Sequence, residues 1–389
     1  MDGRGDYVHG LLVMTILDRY ILKKFLVPFL YCFAGFIGIW FIFDLADNLQ
    51  DFIQGRATFG MLSAYYASQV PEIIIIALPL GTLLALLYSL SAMSRSNEII
   101  SMLGAGRSIV RILLPLMGVG VVLTGVTAYF NYEGAPHATG IKKDLVGEIK
   151  HGKKKERTIK GHLFRNREDK RTWFVSRLPI KKDLLIDIQI VQQDAEGNIS
   201  EQWYAREALF NHDSGNWTLR GARHVKMSSE GDVTDSEMPG SIEIEGWSET
   251  PWRVGSSMMN ADFLSVPELR DYLKFNGDFP DQRLAPYRTQ LNYRWALPVV
   301  CLVVVFLAAP CAIVYSRRGV LGGVAMAIAL FFMLVLASNL FVALGKGDRI
   351  PPVVAAWGPV GGFFVVGLWL LWMRSTNRDL PRLRIPGMS

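Results

Sequence analysis

Residues Ser94–Arg107 read SRSNEIISMLGAGR, a short charged segment between two long apolar runs. Its apolar residues, among them Ile99 and Leu103, recur at helical spacing, which predicts an amphipathic helix. Gly104 and Gly106 are typical of a helix end. Such a helix either lies on a lipid surface or inserts into a groove on a soluble partner, and the spacing alone leaves both possibilities open.

Six apolar runs are long enough to cross a membrane. The chain has 389 residues, of which 50% are hydrophobic, and a bilayer core of about 30 Å requires roughly 20 mostly apolar residues in a helix. The sequence therefore predicts an α-helical membrane protein with six transmembrane helices. The predicted spans are Phe25–Phe43, Tyr65–Leu90, Ile109–Phe130, Trp295–Tyr315, Val320–Leu344 and Val353–Met373.

Basic residues mark one side of these spans. Cytoplasmic loops are enriched in Lys and Arg, so this side, with both termini and the segment Ser94–Arg107, is predicted to be cytoplasmic. The net charge of +6 then reflects topology and anionic lipid rather than nucleic acid. Met1–Val13 has no periodic pattern, which leaves Met1 or Met14 as the start. The basic residues are Arg19, Lys23, Lys24, Arg95, Arg107, Arg111, Arg317, Arg318, Arg374, Arg378, Arg382 and Arg384.

The region of residues 131–290 is polar, and its apolar residues follow the alternating pattern of strands instead of the helical spacing of the apolar runs. Apolar and polar residues alternate in Trp173–Leu178, Ile186–Gln193 and Ser241–Trp247, with turn residues between such runs. Short strands at this spacing predict an inserted all-β domain, a sandwich, jelly roll or barrel, between the third and fourth transmembrane helices on the side opposite to the cytoplasm. Residues 1–130 and 291–389 are then the two transmembrane halves, the second with a cytoplasmic tail.

Catalytic motifs give little support to an enzyme. The residues GKGD at 345–348 lack the first glycine and the Ser or Thr of a phosphate-binding loop. They match the Gly-x-Gly-Asp pattern of intramembrane aspartyl proteases, which need a second aspartate, and Asp44 is the candidate. However, Phe43 stands where the partner motif has Tyr, and Pro351 and Pro352 favour a simple turn. We predict no catalytic residue.

Other polar residues near the membrane have two readings. Asp44 and Asp47, at the end of the first span, either face a polar pathway or already lie in outer water. Asn339 either lines a cavity or forms a hydrogen bond between helices. Neither the six histidines nor the three cysteines have metal-binding spacing, so we predict no metal and no cofactor.

Several stretches together resemble the LptF/LptG permease family (YjgP/YjgQ) of the lipopolysaccharide export ABC transporter. The resemblance covers roughly residues 17–374 and lies in the order and spacing of its parts. These are LDRYILKKF at 17–25, NEIISMLGAGRS at 97–108, YAREALFNHDSGNWTLRGA at 204–222, LNYRWALP at 291–298 and IPP at 350–352.

The resemblance implies a permease subunit that extracts lipopolysaccharide from the inner membrane and is powered by a separate ATPase that binds the ATP. It implies a paralogous permease as heterodimer partner, an LptB-type ATPase dimer, an LptC-type single-span protein and an LptA-type periplasmic bridge. The expected ATPase-docking residues are Arg95, Glu98, Met102, Gly104 and Arg107. The expected lipid-cavity residues are Phe41, Asp44, Asp47, Phe331, Asn339 and Arg349.

One feature departs from the family pattern. LptG members can carry a basic residue near the outer end of the first span, where this chain has Asp44 and Asp47. Phosphate recognition would then fall to Arg56, Lys346 or Arg349, or to the partner permease. LDRYI and LSVPELRDYL favour LptG, whereas RTQLNYR resembles LptF, and we favour LptG. The alternatives are an intramembrane aspartyl protease and a membrane-anchored envelope scaffold.

Overall fold

The computed structural model describes residues 15–134, 138, 142, 145–147, 149, 158–179, 183–228, 231–256, 260–277, 279–313 and 320–376. The chain forms two compact units, each described by itself below. The membrane unit contains Met1–Lys142, Ser265–Pro267 and Asp281–Ser389, and the β unit contains Lys143–Leu264 and Glu268–Pro280. Several residues used above lie outside the described residues: Met14, Arg317, Arg318, Arg378, Arg382 and Arg384.

Among the described residues, six α-helices, α1, α2, α4, α7, α8 and α9, are long and apolar enough to cross a membrane. This confirms the six predicted transmembrane helices. The helices are α1 Ile16–Gln54, α2 Phe59–Arg95, α3 Glu98–Gly104, α4 Ile109–Tyr129, α5 Pro251–Ser256, α6 Val266–Phe275, α7 Asp281–Ala312, α8 Val320–Lys346 and α9 Pro352–Ser375.

Several of these helices extend beyond the apolar runs that predicted them. Helix α1 has 39 residues, or about 58 Å at 1.5 Å per residue, roughly twice the thickness of a bilayer core. It begins with a capping box in which Thr15 and Asp18 satisfy each other's backbone N–H groups. Polar residues continue a helix as readily as apolar ones once they are outside the lipid, so the apolar runs underestimate helix length.

Helices α2 and α7 form the centre of the membrane unit. In the most apolar 18-residue stretch of each helix, 67% of the residues of α2 and 72% of those of α7 are buried, compared with 11% in α1 and 22% in α8. Close approach at the centre depends on small residues. A Cβ atom at Gly120 of α4 would lie 3.0 Å from Val305 Cγ2 of α7. The apolar surfaces of α1 and α8 are left for lipid or for partner helices.

The β unit contains one antiparallel sheet whose six strands follow in sequence order. The predicted inserted β domain is confirmed as an antiparallel sheet domain, and two of the alternating runs, Trp173–Leu178 and Ile186–Gln193, lie within β2 and β3. Among the described strands the connectivity is a simple meander with bulges at the β3–β4 and β5–β6 pairs. The strands are β1 Thr158–Asn166, β2 Arg171–Pro179, β3 Leu184–Gln193, β4 Ile199–Phe210, β5 Trp217–Met227 and β6 Val233–Ile244.

The β unit contains a buried ion pair. Arg171 Nη1 lies 2.6 Å from Glu249 Oε2, and the Glu249 side chain is fully buried. Asn166 donates a further hydrogen bond of 2.9 Å to Glu249. A buried carboxylate requires such partners because burial removes its hydration. Nearby, a hydrogen bond from Ser248 lowers the pKa of Asp169, while burial lowers the pKa of His162.

Candidate functional site

The contact helix, which we define as α3, is shorter than the predicted helix Ser94–Arg107. Helix α2 continues to Arg95, and the chain then breaks at Asn97, whose φ of 60° is left-handed. Asn tolerates this conformation better than most residues, so it permits a sharp break here. The prediction of a single helix over Ser94–Arg107 was therefore wrong, because Arg95 and Glu98 belong to different helices.

The apolar side of the contact helix packs against the membrane unit. Ile99 is buried, and Met102 and Leu103 pack against the same core. Gly104 and Arg107 are exposed. Of the five predicted docking residues, Met102 is thus partly covered by its own chain, whereas Gly104, Arg107 and Arg95 face outward. Their docking role remains a prediction.

The carboxylate of Glu98 is held by side chains from helix α1 and from the break between α2 and α3. Tyr20 of α1 donates a hydrogen bond of 2.9 Å to Oε2, and Ser96 donates one of 2.9 Å to Oε1. Lys24 Nζ lies 3.6 Å from Oε1, and the Glu98 side chain remains 26% exposed. Glu98 therefore has a fixed position while part of its carboxylate stays open to a partner.

The sequence analysis missed Tyr20 and Lys24 as members of this site. They are four residues apart and so lie on one face of α1. Both belong to the stretch LDRYILKKF, which contributed to the family resemblance. That spacing was the available signal, but nothing in the sequence linked it to Glu98, 78 residues from Tyr20.

A second contact joins helix α1 to helix α4, which follows the contact helix in the chain. Arg111, in the first turn of α4, donates a hydrogen bond of 2.9 Å to Asp18 Oδ2, and the Asp18 side chain is only 7% exposed. The same carboxylate accepts the backbone N–H of Thr15 at 2.9 Å. Helix α1 therefore anchors the chain on both sides of the contact helix.

A second carboxylate site lies toward the other end of α1. Asp44 is buried, with Lys142 Nζ 2.7 Å from Oδ1 and Tyr65 Oη 2.9 Å from Oδ2. Asp44 also accepts, through its backbone carbonyl, a hydrogen bond from Asn48. Asp44 thus faces neither an open pathway nor outer water in this structure, but a lysine that the sequence analysis did not consider.

The two carboxylate sites are far apart along helix α1. Tyr20 and Asp44 are 24 residues apart on α1, which corresponds to about 36 Å at 1.5 Å per residue. This exceeds the core thickness of about 30 Å. Helix α1 is therefore long enough to separate the Glu98 and Asp44 sites by the thickness of a bilayer core.

The other predicted cavity residues are scattered over the membrane unit. The ring of Phe41 packs at 4.6 Å from that of Tyr66, beside the Asp44 site. Asp47, Asn339 and Arg349 are exposed, whereas Phe331 is buried in the core. The structure thus brings together Phe41 and Asp44, and their role in lipid binding remains a prediction.

The residues GKGD lie where a turn was expected. Helix α8 ends at Lys346, and Asp348 is exposed with a φ of 56°. A Cβ atom at Gly345 would lie 2.9 Å from Thr289 Cγ2 of α7, so glycine is needed there for helix packing. Within the described residues Asp44 bonds to Tyr65 and Lys142 and not to Asp348, so the paired carboxylates of an aspartyl protease are not formed here.

Comparison with known proteins identifies relatives along nearly the whole chain. The family model described as lipopolysaccharide export system permease LptF/LptG matches residues 19–373. The lipopolysaccharide export system permease protein LptG of Escherichia coli strain K12 is 24% identical over 371 residues, 92% of this chain and 99% of that protein. The protein of the same name from Haemophilus influenzae strain Rd is 23% identical over 369 residues, 94% of this chain and 100% of that protein.

Proposed function

Because this chain belongs to the lipopolysaccharide export permease family LptF/LptG, we propose that it is a permease subunit that extracts lipopolysaccharide from the inner membrane. The six apolar helices and the family indicate a multi-pass inner-membrane protein. The subunit is non-catalytic, with a separate LptB-type ATPase dimer supplying the energy. Both termini are cytoplasmic and the β unit is periplasmic.

The observation that carries this proposal is the contact helix α3. It is short, packed on the membrane unit by Ile99, and it holds the partly exposed carboxylate of Glu98 in place through Tyr20 and Lys24. A pre-positioned carboxylate needs little further ordering when a basic residue of a partner approaches it. The ATPase therefore docks at Glu98, and movement of its two copies passes through α3 to helices α2 and α4.

Other exposed surfaces fit the remaining partners. Helices α1 and α8 are the least buried of the six spans, and they contact the paralogous permease and the LptC-type single-span protein. Strand β6 is exposed along most of its length and pairs only with β5 among the described strands. An unpaired edge can accept a further strand. The LptA-type bridge therefore adds a strand at β6 and receives the lipid there.

The lipid phosphates meet cations near the outer ends of the spans. Arg56 and Arg349 are exposed, and Lys346 ends helix α8. Lys142 is paired with Asp44, and the carboxylate offsets its positive charge. Lys142 therefore attracts lipid phosphates less than an unpaired lysine at the same place would. Arg56, Lys346 and Arg349, together with the partner permease, bind the phosphates.

Replacement of Glu98 tests ATPase docking. We expect Glu98→Arg to reduce the ATPase that co-purifies with the tagged full-length chain by at least tenfold, because a reversed charge at a buried interface repels the partner's basic residue. Asp348→Asn, an exposed carboxylate on the opposite side of the membrane, is the matched control and leaves co-purification unchanged.

Glu98→Gln separates charge from geometry in the same assay. It retains hydrogen-bonding groups for Tyr20 and Ser96 but removes the charge, so we expect an intermediate loss of ATPase. Undiminished co-purification of the ATPase with Glu98→Arg would contradict the docking proposal.

A further inference from the structure

Three exposed apolar side chains lie in one row across the β sheet. Leu163, Phe174 and Tyr204 are 55%, 41% and 39% exposed, more than any other large apolar residue described on strands β1–β5. Leu163 lies opposite Phe174 in the register of the sheet, and Gln189 of β3 lies opposite both Phe174 and Tyr204. Arg223 of β5 continues the row beside Tyr204. We call these five residues the outer row.

The outer row is on the face of the sheet opposite to its apolar core. Side chains alternate along a strand, and the chain neighbours Trp173, Ile190 and Trp203 are buried in the core. Single exposed apolar residues need no explanation, but three aligned ones indicate an interaction site. The row is one residue wide, so it covers far less than the roughly 800 Å² per partner of a standard protein interface. A narrow, elongated ligand fits it better.

The ring of Tyr204 is held against the sheet by its hydroxyl group. Tyr204 Oη donates a hydrogen bond of 2.7 Å to Gln202 Oε1, two residues back on the same strand. Gln189 Nε2 donates one of 3.2 Å to the same hydroxyl. Gln202 is only 8% exposed although it is on the outer face, because the inclined ring covers it. An aromatic face fixed in this way loses little conformational freedom when a ligand binds.

The spacing of the two rings fits a sugar chain. Phe174 and Tyr204 are two strands apart, or about 10 Å at a strand spacing of about 4.8 Å. Pyranose rings stack their C–H faces on aromatic rings, and in an extended β-linked chain every second sugar presents the same face at about this distance. Gln189, between the two rings, has an amide oxygen and a second N–H with which to bond a sugar.

The charges beside the outer row favour an acidic ligand. Arg223 is exposed at one end of the row, and two further exposed arginines, Arg165 and Arg206, are each two residues from one of its members. Asp187, two residues from Gln189, pairs with Arg177 at 3.0 Å, which offsets its negative charge. Clustered cations of this kind attract anionic groups.

We propose that the outer row binds an acidic, β-linked amino-sugar chain, the class of glycan that forms bacterial cell walls. Alternate sugars stack on Phe174 and Tyr204, and Arg223 binds a carboxylate of the chain. The proposal rests on the proposed periplasmic position of the β unit, because the cell wall lies in that compartment. Such binding holds the β unit next to the wall that the proposed bridge must cross.

Co-sedimentation of the purified full-length chain, in detergent, with insoluble cell-wall glycan tests this binding. We expect Phe174→Ala and Tyr204→Ala each to weaken it about fivefold, the effect of losing one aromatic contact. Phe263→Ala, which removes an exposed aromatic ring of the β unit outside the outer row, leaves it unchanged. All three side chains are exposed, so thermal unfolding of the variants should match that of the unmodified chain.

A soluble probe separates stacking from charge. Chitotetraose is a neutral β-linked amino-sugar chain, and we expect Arg223→Gln to leave its binding unchanged in isothermal titration calorimetry. The same substitution should weaken sedimentation with the acidic wall about threefold, as for an exposed ion pair.

Two results would overturn the proposal. One is equal sedimentation of Tyr204→Ala and Phe263→Ala with the cell-wall glycan. The other is binding of the lipid-free saccharide of lipopolysaccharide but of neither amino-sugar probe, which would make the outer row part of the cargo path. These measurements involve neither the ATPase nor lipid extraction, so their failure leaves the proposed permease function standing.

Discussion

Two carboxylates near opposite ends of helix α1 have the same kinds of partner but different surroundings. Asp44 and Glu98 each accept a hydrogen bond of 2.9 Å from a tyrosine and each lie near a lysine. The lysine is 2.7 Å from Asp44, whose side chain is 6% exposed, and 3.6 Å from Glu98, whose side chain is 26% exposed. Burial, rather than the identity of the partners, distinguishes them.

This difference separates a structural site, Asp44, from the proposed docking site, Glu98. A buried carboxylate has lost its hydration, so it depends on its lysine, and removing that lysine leaves an uncompensated charge. A partly exposed carboxylate keeps water, gains little from its lysine and remains available to another protein. The comparison predicts that matched substitutions at the two sites differ most in their effect on the free energy of unfolding. They differ less in how that effect and partner binding depend on salt.

Removal of each lysine is expected to give the largest contrast. Lys142→Met should lower the free energy of unfolding by about 3 kcal/mol, the lower end for a broken buried pair because Lys142 itself is partly exposed. Lys24→Met should lower it by less than about 1 kcal/mol. Thermal unfolding of the two variants in detergent measures the difference.

A double substitution controls for lost packing. Asp44→Asn combined with Lys142→Met removes the buried charge together with its partner, so we expect it to recover much of the stability lost in Lys142→Met. If the single and double variants melt at the same temperature, the charge of Asp44 is not the cause and the comparison fails.

Removal of each tyrosine hydroxyl should give a smaller contrast. Tyr65→Phe deletes a hydrogen bond to a buried charge, so we expect a loss of about 2 kcal/mol. Tyr20→Phe deletes an exposed one, with a loss below about 1 kcal/mol, yet it should weaken ATPase co-purification because Glu98 is no longer fixed. Equal destabilisation of the two variants would show that burial does not separate the sites.

The response to salt should be the smallest effect. Raising the salt concentration from 0.1 to 1 M shortens the screening length from about 10 Å to about 3 Å. We expect ATPase binding through Glu98 to weaken with salt, whereas the stability difference between the unmodified chain and Lys142→Met stays constant. Co-purification and thermal unfolding at the two salt concentrations test this, and a salt-dependent Lys142→Met difference would place Asp44 in contact with solvent.

The two sites also differ in how far the sequence predicted them. Glu98 was found because a charged segment between two apolar runs is conspicuous and its neighbours resemble a family motif. Asp44 was noticed, but Lys142 was not, because the two residues are 98 positions apart. Contacts at such separation depend on how helices pack, and periodicity carries no information about them.

The sequence by itself determined the six membrane-spanning helices, the inserted β domain and the existence of a contact helix. These features are local, because a spanning helix must be continuously apolar to satisfy its backbone within lipid and a half-buried strand must alternate. The tertiary structure alone decided that Asp44 is neutralised by Lys142, that Arg95 belongs to α2 rather than to the contact helix, and that Phe174 and Tyr204 lie in one row of the sheet. These features arise where separate helices or strands meet, and only packing and strand register fix which side chains they bring together.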